Sequence, residues 1–108
     1  MYLFFDTETT GLPKNWKATV EDLDNWPRMV QLAWVFCDQG GNTISANNYI
    51  IQPDRFVIPK EAAQVHGITT TRAKKEGVPI KNVLIEFEDL VNQADYLVAH
   101  NISFDEIK

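Results

Sequence analysis

The chain has little cysteine, little positive charge and no long apolar run, and each shortage closes off a class of protein. Its one cysteine, Cys37, rules out an intramolecular disulfide and a cysteine-rich zinc site, and fits a reducing, cytoplasmic setting. No segment approaches the roughly 20 apolar residues that span a bilayer. The N-terminus also lacks the basic region and cleavage site of a signal peptide, so no membrane role is expected. Lys and Arg number 10 against 15 Asp and Glu, a formal charge of -5. That balance excludes a broad basic surface for nucleic acid, because neutralising phosphates takes clustered cations. An acidic protein can still act on nucleic acid where a bound divalent metal supplies the positive charge locally. At 108 residues and 44% hydrophobic, the chain is one domain's worth of sequence, with no internal repeat and no low-complexity segment.

What the chain does have is a concentrated N-terminal signal, "LFFDTETTGLP" over residues 3–13. Three large apolar residues run into Asp6 and Glu8, then into a turn of small residues. On a strand, residues two apart share a face, so both carboxylates reach one point just past the strand's end. Converging carboxylates repel unless a proton or cation sits between them. Mg²⁺ and Mn²⁺ prefer such oxygen ligands and keep positions free for water and phosphate. Thr9, Thr10 and Gly11 then offer backbone N–H groups to a polar substrate. The bland alternative is a pair of solvated strand-end acids. A phosphoryl-transfer aspartate of the haloacid-dehalogenase kind is a rival that Glu8 argues against, since aspartate is preferred at both positions there.

The rest of the chain reads as a mixed α/β domain. Residues 2–6 form a first strand, apolar on both faces, and residues 14–27 a polar surface excursion. Residues 28–37 form a second strand with Val30, Leu32, Trp34 and Phe36 on one face. Gln39-Gly40-Gly41-Asn42 supplies hairpin turn chemistry into a third strand over 43–51, placed at an edge because Asn47 and Asn48 are too polar for a buried centre. Pro59 starts a short helix ended by Gly67, and Thr69–Thr71 cap a second that stops at Gly77. Pro79 opens the clearest helix, with Ile80, Val83, Leu84, Phe87, Leu90 and Val91 in one apolar stripe. A strand over 95–99 follows. Ser103 with Glu106 is a capping-box pair that begins a last helix, so the sequence reads as cut within that helix.

A second constellation, "VAHNISFDE" over 98–106, places Asp105 in the first turn of that last helix. A parallel neighbour strand would carry it towards Asp6 and Glu8. His100 reads as turn chemistry, and Phe104 as core unless exposed enough for a base to stack on it. The "RAKK" cluster at 72–75 reads as a solvated helix face.

Taken together and in order, "FDTETTGL", "VHGIT" and "AHNISFD" resemble the DEDD superfamily of 3′-to-5′ exonucleases. Within it they are most similar to the branch of the epsilon proofreading subunit of bacterial DNA polymerase III and ribonuclease T. The resemblance runs from Met1 to Lys108. It implies an α/β, ribonuclease-H-like mixed sheet, with three antiparallel strands, then a parallel one, and helices on both faces. Residues 1–108 would be the N-terminal portion of a single exonuclease domain, truncated after the second motif. Asp6, Glu8 and Asp105 match three of four acids that hold two divalent ions, Mg²⁺ or Mn²⁺. Thr9 matches a residue whose backbone contacts the terminal nucleotide, and Leu12 one that packs on its base. Glu61 and His66 match positions near the terminal sugar, Asn101 a loop-fixing residue and Phe104 a base-contacting aromatic. The implied reaction is two-metal phosphodiester hydrolysis releasing nucleoside monophosphates from single-stranded 3′ ends, DNA by preference, with a DNA polymerase subunit as a partner. The histidine or tyrosine that serves the attacking water, and the fourth acid, would lie beyond Lys108, leaving these residues weakly active by themselves. The alternative is a non-catalytic nucleic-acid or nucleotide-binding module on the same fold.

Overall fold

The computed structural model describes residues 1–11 and 28–99. The expected excursion over 14–27 and the last helix from Ser103 lie outside them. Four strands make one sheet: β1 (Tyr2–Thr9), β2 (Met29–Cys37), β3 (Thr43–Ile50) and β4 (Tyr96–Ala99), ordered β3-β2-β1-β4. β1 pairs antiparallel with β2 and β2 with β3, whereas β4 runs parallel to β1. Both β3 and β1 fall where the sequence puts them, one at an edge and one in the centre. β1 is longer than the expected 2–6, because its backbone pairs with β2 through both acids up to Thr9.

Alternation explains the sheet's sidedness. Leu3 and Phe5 on β1 stand beside Phe36 and Trp34 on β2, with Leu32 next along. This face is the core, and Leu3, Leu32, Trp34 and Phe36 are buried with Ile51 and Val83. Each such side chain stabilises the fold by about 1.5–3 kcal/mol. Three helices follow β3: α1 (Lys60–His66), α2 (Thr70–Glu76) and α3 (Ile80–Gln93). α3 covers the core through Val83, Phe87, Leu90 and Val91. The Phe87 ring meets Phe5 edge-on at 5.3 Å and tilts against Trp34 at 5.5 Å. The expected stripe is wider than the one used: Ile80 and Leu84 are 37% and 41% exposed, because the sheet beneath accepts the line through Val83, Phe87, Leu90 and Val91. α1 and α2 pack around a second cluster of Val30, Ile58, Ala62, Ile68 and Ala73. Val30 alternates with Leu32, so this cluster extends the same side of the sheet.

The helix ends follow local chemistry. Gly67 takes the left-handed conformation, φ 75°, and its N–H closes on the Ala63 carbonyl at 2.7 Å. Thr69 caps α2 by accepting from the Arg72 N–H at 3.1 Å. In the β2–β3 turn, Asp38 Oδ1 accepts from the N–H groups of Gly40 and Asn42, each at 2.9 Å. The backbone bond from Asn42 leads in holding that carboxyl below the usual carboxylate range. Asn47 has a role its polarity alone did not reveal: its amide donates to Glu86 Oε1, and the Tyr49 hydroxyl donates to Oε2, each at 2.8 Å. The pair ties edge strand β3 to α3. The bond to Glu86 raises the Tyr49 phenol above its ordinary value.

Among the described residues, no helix is long and apolar enough to cross a membrane.

Candidate active site

The other face of the sheet reads in rows across the strands. Val98, Phe4, Val35 and Ala46 form one, and Asp6, Ala33 and Asn48 the next. Glu8, Gln31 and Ile50 form the third. Asp6 and Glu8 therefore share a face, two positions apart, as the sequence requires. Asp6 is exposed and Glu8 half-buried. Ala33 and Ala46 are small, so the surface beside Asp6 is hollow: a cleft of about 690 Å³ lies there, lined by Phe4, Asp6, Ala33, Val35, Asn48 and Val98 among others. Between the Asp6 row and the next, Gln31 Nε2 donates to Asn48 Oδ1 at 2.6 Å. Asn48 and Gln31 are neighbours of the acids that the sequence did not single out. Their signal was present only in the β1–β2–β3 register, which pattern alone does not fix.

Past Glu8 the register shifts, and Thr9 pairs with Met29. Bulges of this kind end pairing and re-aim the chain. The turn that follows is tied down: the Thr9 hydroxyl donates to the Gly11 carbonyl at 3.2 Å, and the Thr10 N–H donates to the Arg28 carbonyl at 2.9 Å. Gly11 adopts φ 139°, a conformation that side-chain-bearing residues rarely reach. Thr9 thus stands where the strand of the acid pair gives way to this turn.

Glu61 is exposed in the first turn of α1, and His66 closes its last turn. Nδ1 of His66 accepts the Ile68 N–H at 3.1 Å. In the neutral ring that bond leaves the proton on Nε2, a buried atom without a partner among the described residues. α1 stands on the Val30 cluster, beside the β2 end where the Thr9–Gly11 turn is tied. Leu12, Asn101, Phe104 and Asp105 lie outside the described residues. Two acids are therefore brought onto one face, and no group of three His, Cys, Asp or Glu side chains is gathered among the described residues. Carboxylates on a shared face suit a hard divalent cation by the chemistry of their oxygen donors.

No curated protein matches the chain. Its fold is similar to that of E. coli exonuclease I solved with a dT13 oligonucleotide, at 22% identity and a TM-score of 0.75, covering 98% of this chain and 22% of that one. The same enzyme with a dA16 oligonucleotide gives 22% identity and a TM-score of 0.76, again covering 98% of this chain and 22% of that one. The chain spans about 22% of the length of these relatives. The four-stranded mixed sheet with its helices is the ribonuclease-H-like fold of such enzymes. The family described as "Exonuclease" matches residues 3–106, from the start of β1 through the acid pair and past β4, and the chain belongs to that family.

Proposed function

We propose that the domain is a metal-dependent 3′-to-5′ exonuclease, similar to the epsilon proofreading subunit, that hydrolyses phosphodiester bonds at single-stranded DNA 3′ ends and releases nucleoside monophosphates. One observation carries the reading. Asp6 and Glu8 share an open sheet face and lead straight into a turn held shut by its own hydrogen bonds. The relatives solved with dT13 and dA16 support single-stranded DNA as the substrate class.

Asp6 and Glu8, with Asp105, would hold the divalent ions, Mg²⁺ or Mn²⁺. When bound, such ions offset phosphate charge and lower the pKa of a coordinated water. The chain's own groups supply position. The Thr9–Gly11 turn presents backbone to the terminal nucleotide, and Leu12 packs on its base. Glu61 and His66 stand near the terminal sugar, with the Ile68 N–H fixing the tautomer of the His66 ring. Asn101 fixes its loop and Phe104 contacts a base.

Calorimetric titration with Mn²⁺, on this chain and on Asp6→Ala, tests the site. Binding that Asp6→Ala abolishes supports it, and no binding to the folded chain moves the reading to a non-catalytic module. Polarity is measured with a 5′-labelled single strand and a chain extended past Lys108, where a ladder shortening from the 3′ end is expected. Release of the labelled 5′ nucleotide first would overturn it.

A further inference from the structure

Arg28 is absorbed by none of the roles above, yet it is fastened to the substrate-facing turn. Its carbonyl accepts the Thr10 N–H at 2.9 Å, and its own N–H donates to Thr10 Oγ1, also at 2.9 Å. Its guanidinium lies over the Phe56 ring, 5.9 Å from the centroid. Phe56 in turn packs against the Val30–Ile58–Ala62 cluster that seats α1. The side chain thus spans the space between the Thr9–Gly11 turn and the helix bearing Glu61 and His66.

Its charge has no counter-ion among the described residues, unlike Arg72, paired with Glu76 at 2.7 Å, and Arg55, which has Asp54 at 3.9 Å. In a chain of net charge -5, a phosphate strand approaching Asp6 and Glu8 meets like charge. A guanidinium held over an aromatic face keeps its N–H donors free for a planar or tetrahedral anion. We infer that Arg28 binds a backbone phosphate of the single strand whose 3′ end lies at Asp6 and Glu8. Phe56 serves as the shelf that aims it. This rests on the exonuclease reading above and adds a substrate contact to it.

The test is fluorescence anisotropy of a 5′-labelled oligothymidylate, with Ca²⁺ present and over a series of salt concentrations. The wild-type chain is compared with Arg28→Met, which keeps the stem over Phe56, and with Arg28→Lys, which keeps the charge. Removing one phosphate contact lowers the slope of log affinity against log salt by about 0.7 for single strands. Arg28→Met is expected to show that fall, and Arg28→Lys to keep the wild-type slope at weaker affinity. A wild-type slope in Arg28→Met overturns the Arg28 contact and leaves the exonuclease reading standing. Equal loss in both variants, with a matching drop in melting temperature, means a structural prop and also overturns it. No binding by the folded wild type overturns the exonuclease reading itself.

Discussion

Gly77 is the position where the packing can be tested most sharply. It ends α2 at φ -75° and ψ 156°, a conformation open to any residue, so backbone freedom does not explain it. Space does. A Cβ there would lie 2.3 Å from the Ala73 carbonyl oxygen, 2.7 Å from the Gln52 nitrogen and 2.8 Å from the Gln52 Cα, all backbone atoms. Two hydrogen bonds of 2.9 Å pin the neighbourhood, Gln52 N–H to the Val78 carbonyl and Val78 N–H to the Ile50 carbonyl. Relief means pulling α2 away from residues 50–52 at the loss of one of them.

Overpacking of this kind typically costs about 1–3 kcal/mol, and a lost backbone bond about 0.5–1.5 kcal/mol net. Alanine recovers only about 0.4–1 kcal/mol by stiffening the unfolded chain. Gly77→Ala is therefore expected to lose about 2 kcal/mol and to melt roughly 10 °C lower. Urea unfolding followed by tryptophan fluorescence, with a thermal melt by circular dichroism, measures both. Gly41→Ala is the control: with φ 83° and no atom within 4 Å of its Cβ, it loses only the left-handed penalty of about 1 kcal/mol. The two mechanisms differ in sign for Gly77. If its surroundings were open, alanine would stabilise, and a Gly77→Ala protein as stable as wild type would refute the close approach.

The two sheet faces should answer differently to truncation. Leu3→Ala, fully buried, is expected to cost about 2–5 kcal/mol. Phe4→Ala on the open face should cost less than half as much in the same urea titration, and equal losses would reverse the facing of β1. Glu86→Ala is expected to lower the urea midpoint by less than Leu3→Ala and to speed amide exchange in β3, since Asn47 and Tyr49 lose their shared acceptor. It should also return the Tyr49 phenol towards its ordinary value in a spectroscopic titration. The sign follows from the raised phenol: its stabilisation is present below the unfolded value near 10 and is lost as pH climbs through the folded one. The variant should therefore lose less stability than wild type between neutral and strongly alkaline pH.

Much of this architecture was legible because its signals are local. The period-2 run through Val30, Leu32, Trp34 and Phe36 survives as one buried face. Gly67 and Thr69 mark helix ends by local chemistry that needs no tertiary partner. The shared facing of Asp6 and Glu8 follows from strand geometry alone. What stayed hidden depends on register and on neighbours. The stripe on α3 named Ile80 and Leu84 because a helix pattern does not say how wide a surface awaits it. Asn47 was read as an edge polarity, although its amide faces inward to Glu86 across 39 positions of sequence. Arg28 read as the start of a strand, since its link to Phe56 joins segments that no spacing rule connects.

The placement of the acids has a further physical reason. A central strand must give one set of alternate residues to the core, and on β1 Leu3 and Phe5 do so. The intervening positions are then free of packing duty from Asp6 onward, and charge costs least there because water still reaches it. Continuing the ladder beyond Glu8 would keep the following residues flat against β2. The register shift between Glu8 and Thr9 makes that pairing irregular, and the Thr10–Arg28 bonds fix where the chain goes next. The carboxylates are thus placed by uncharged groups: apolar residues behind them, an irregular ladder ahead, and one threonine clamp. Exposed acids on an unbroken strand would share a face equally well, but the Thr9–Gly11 turn would not open beside them.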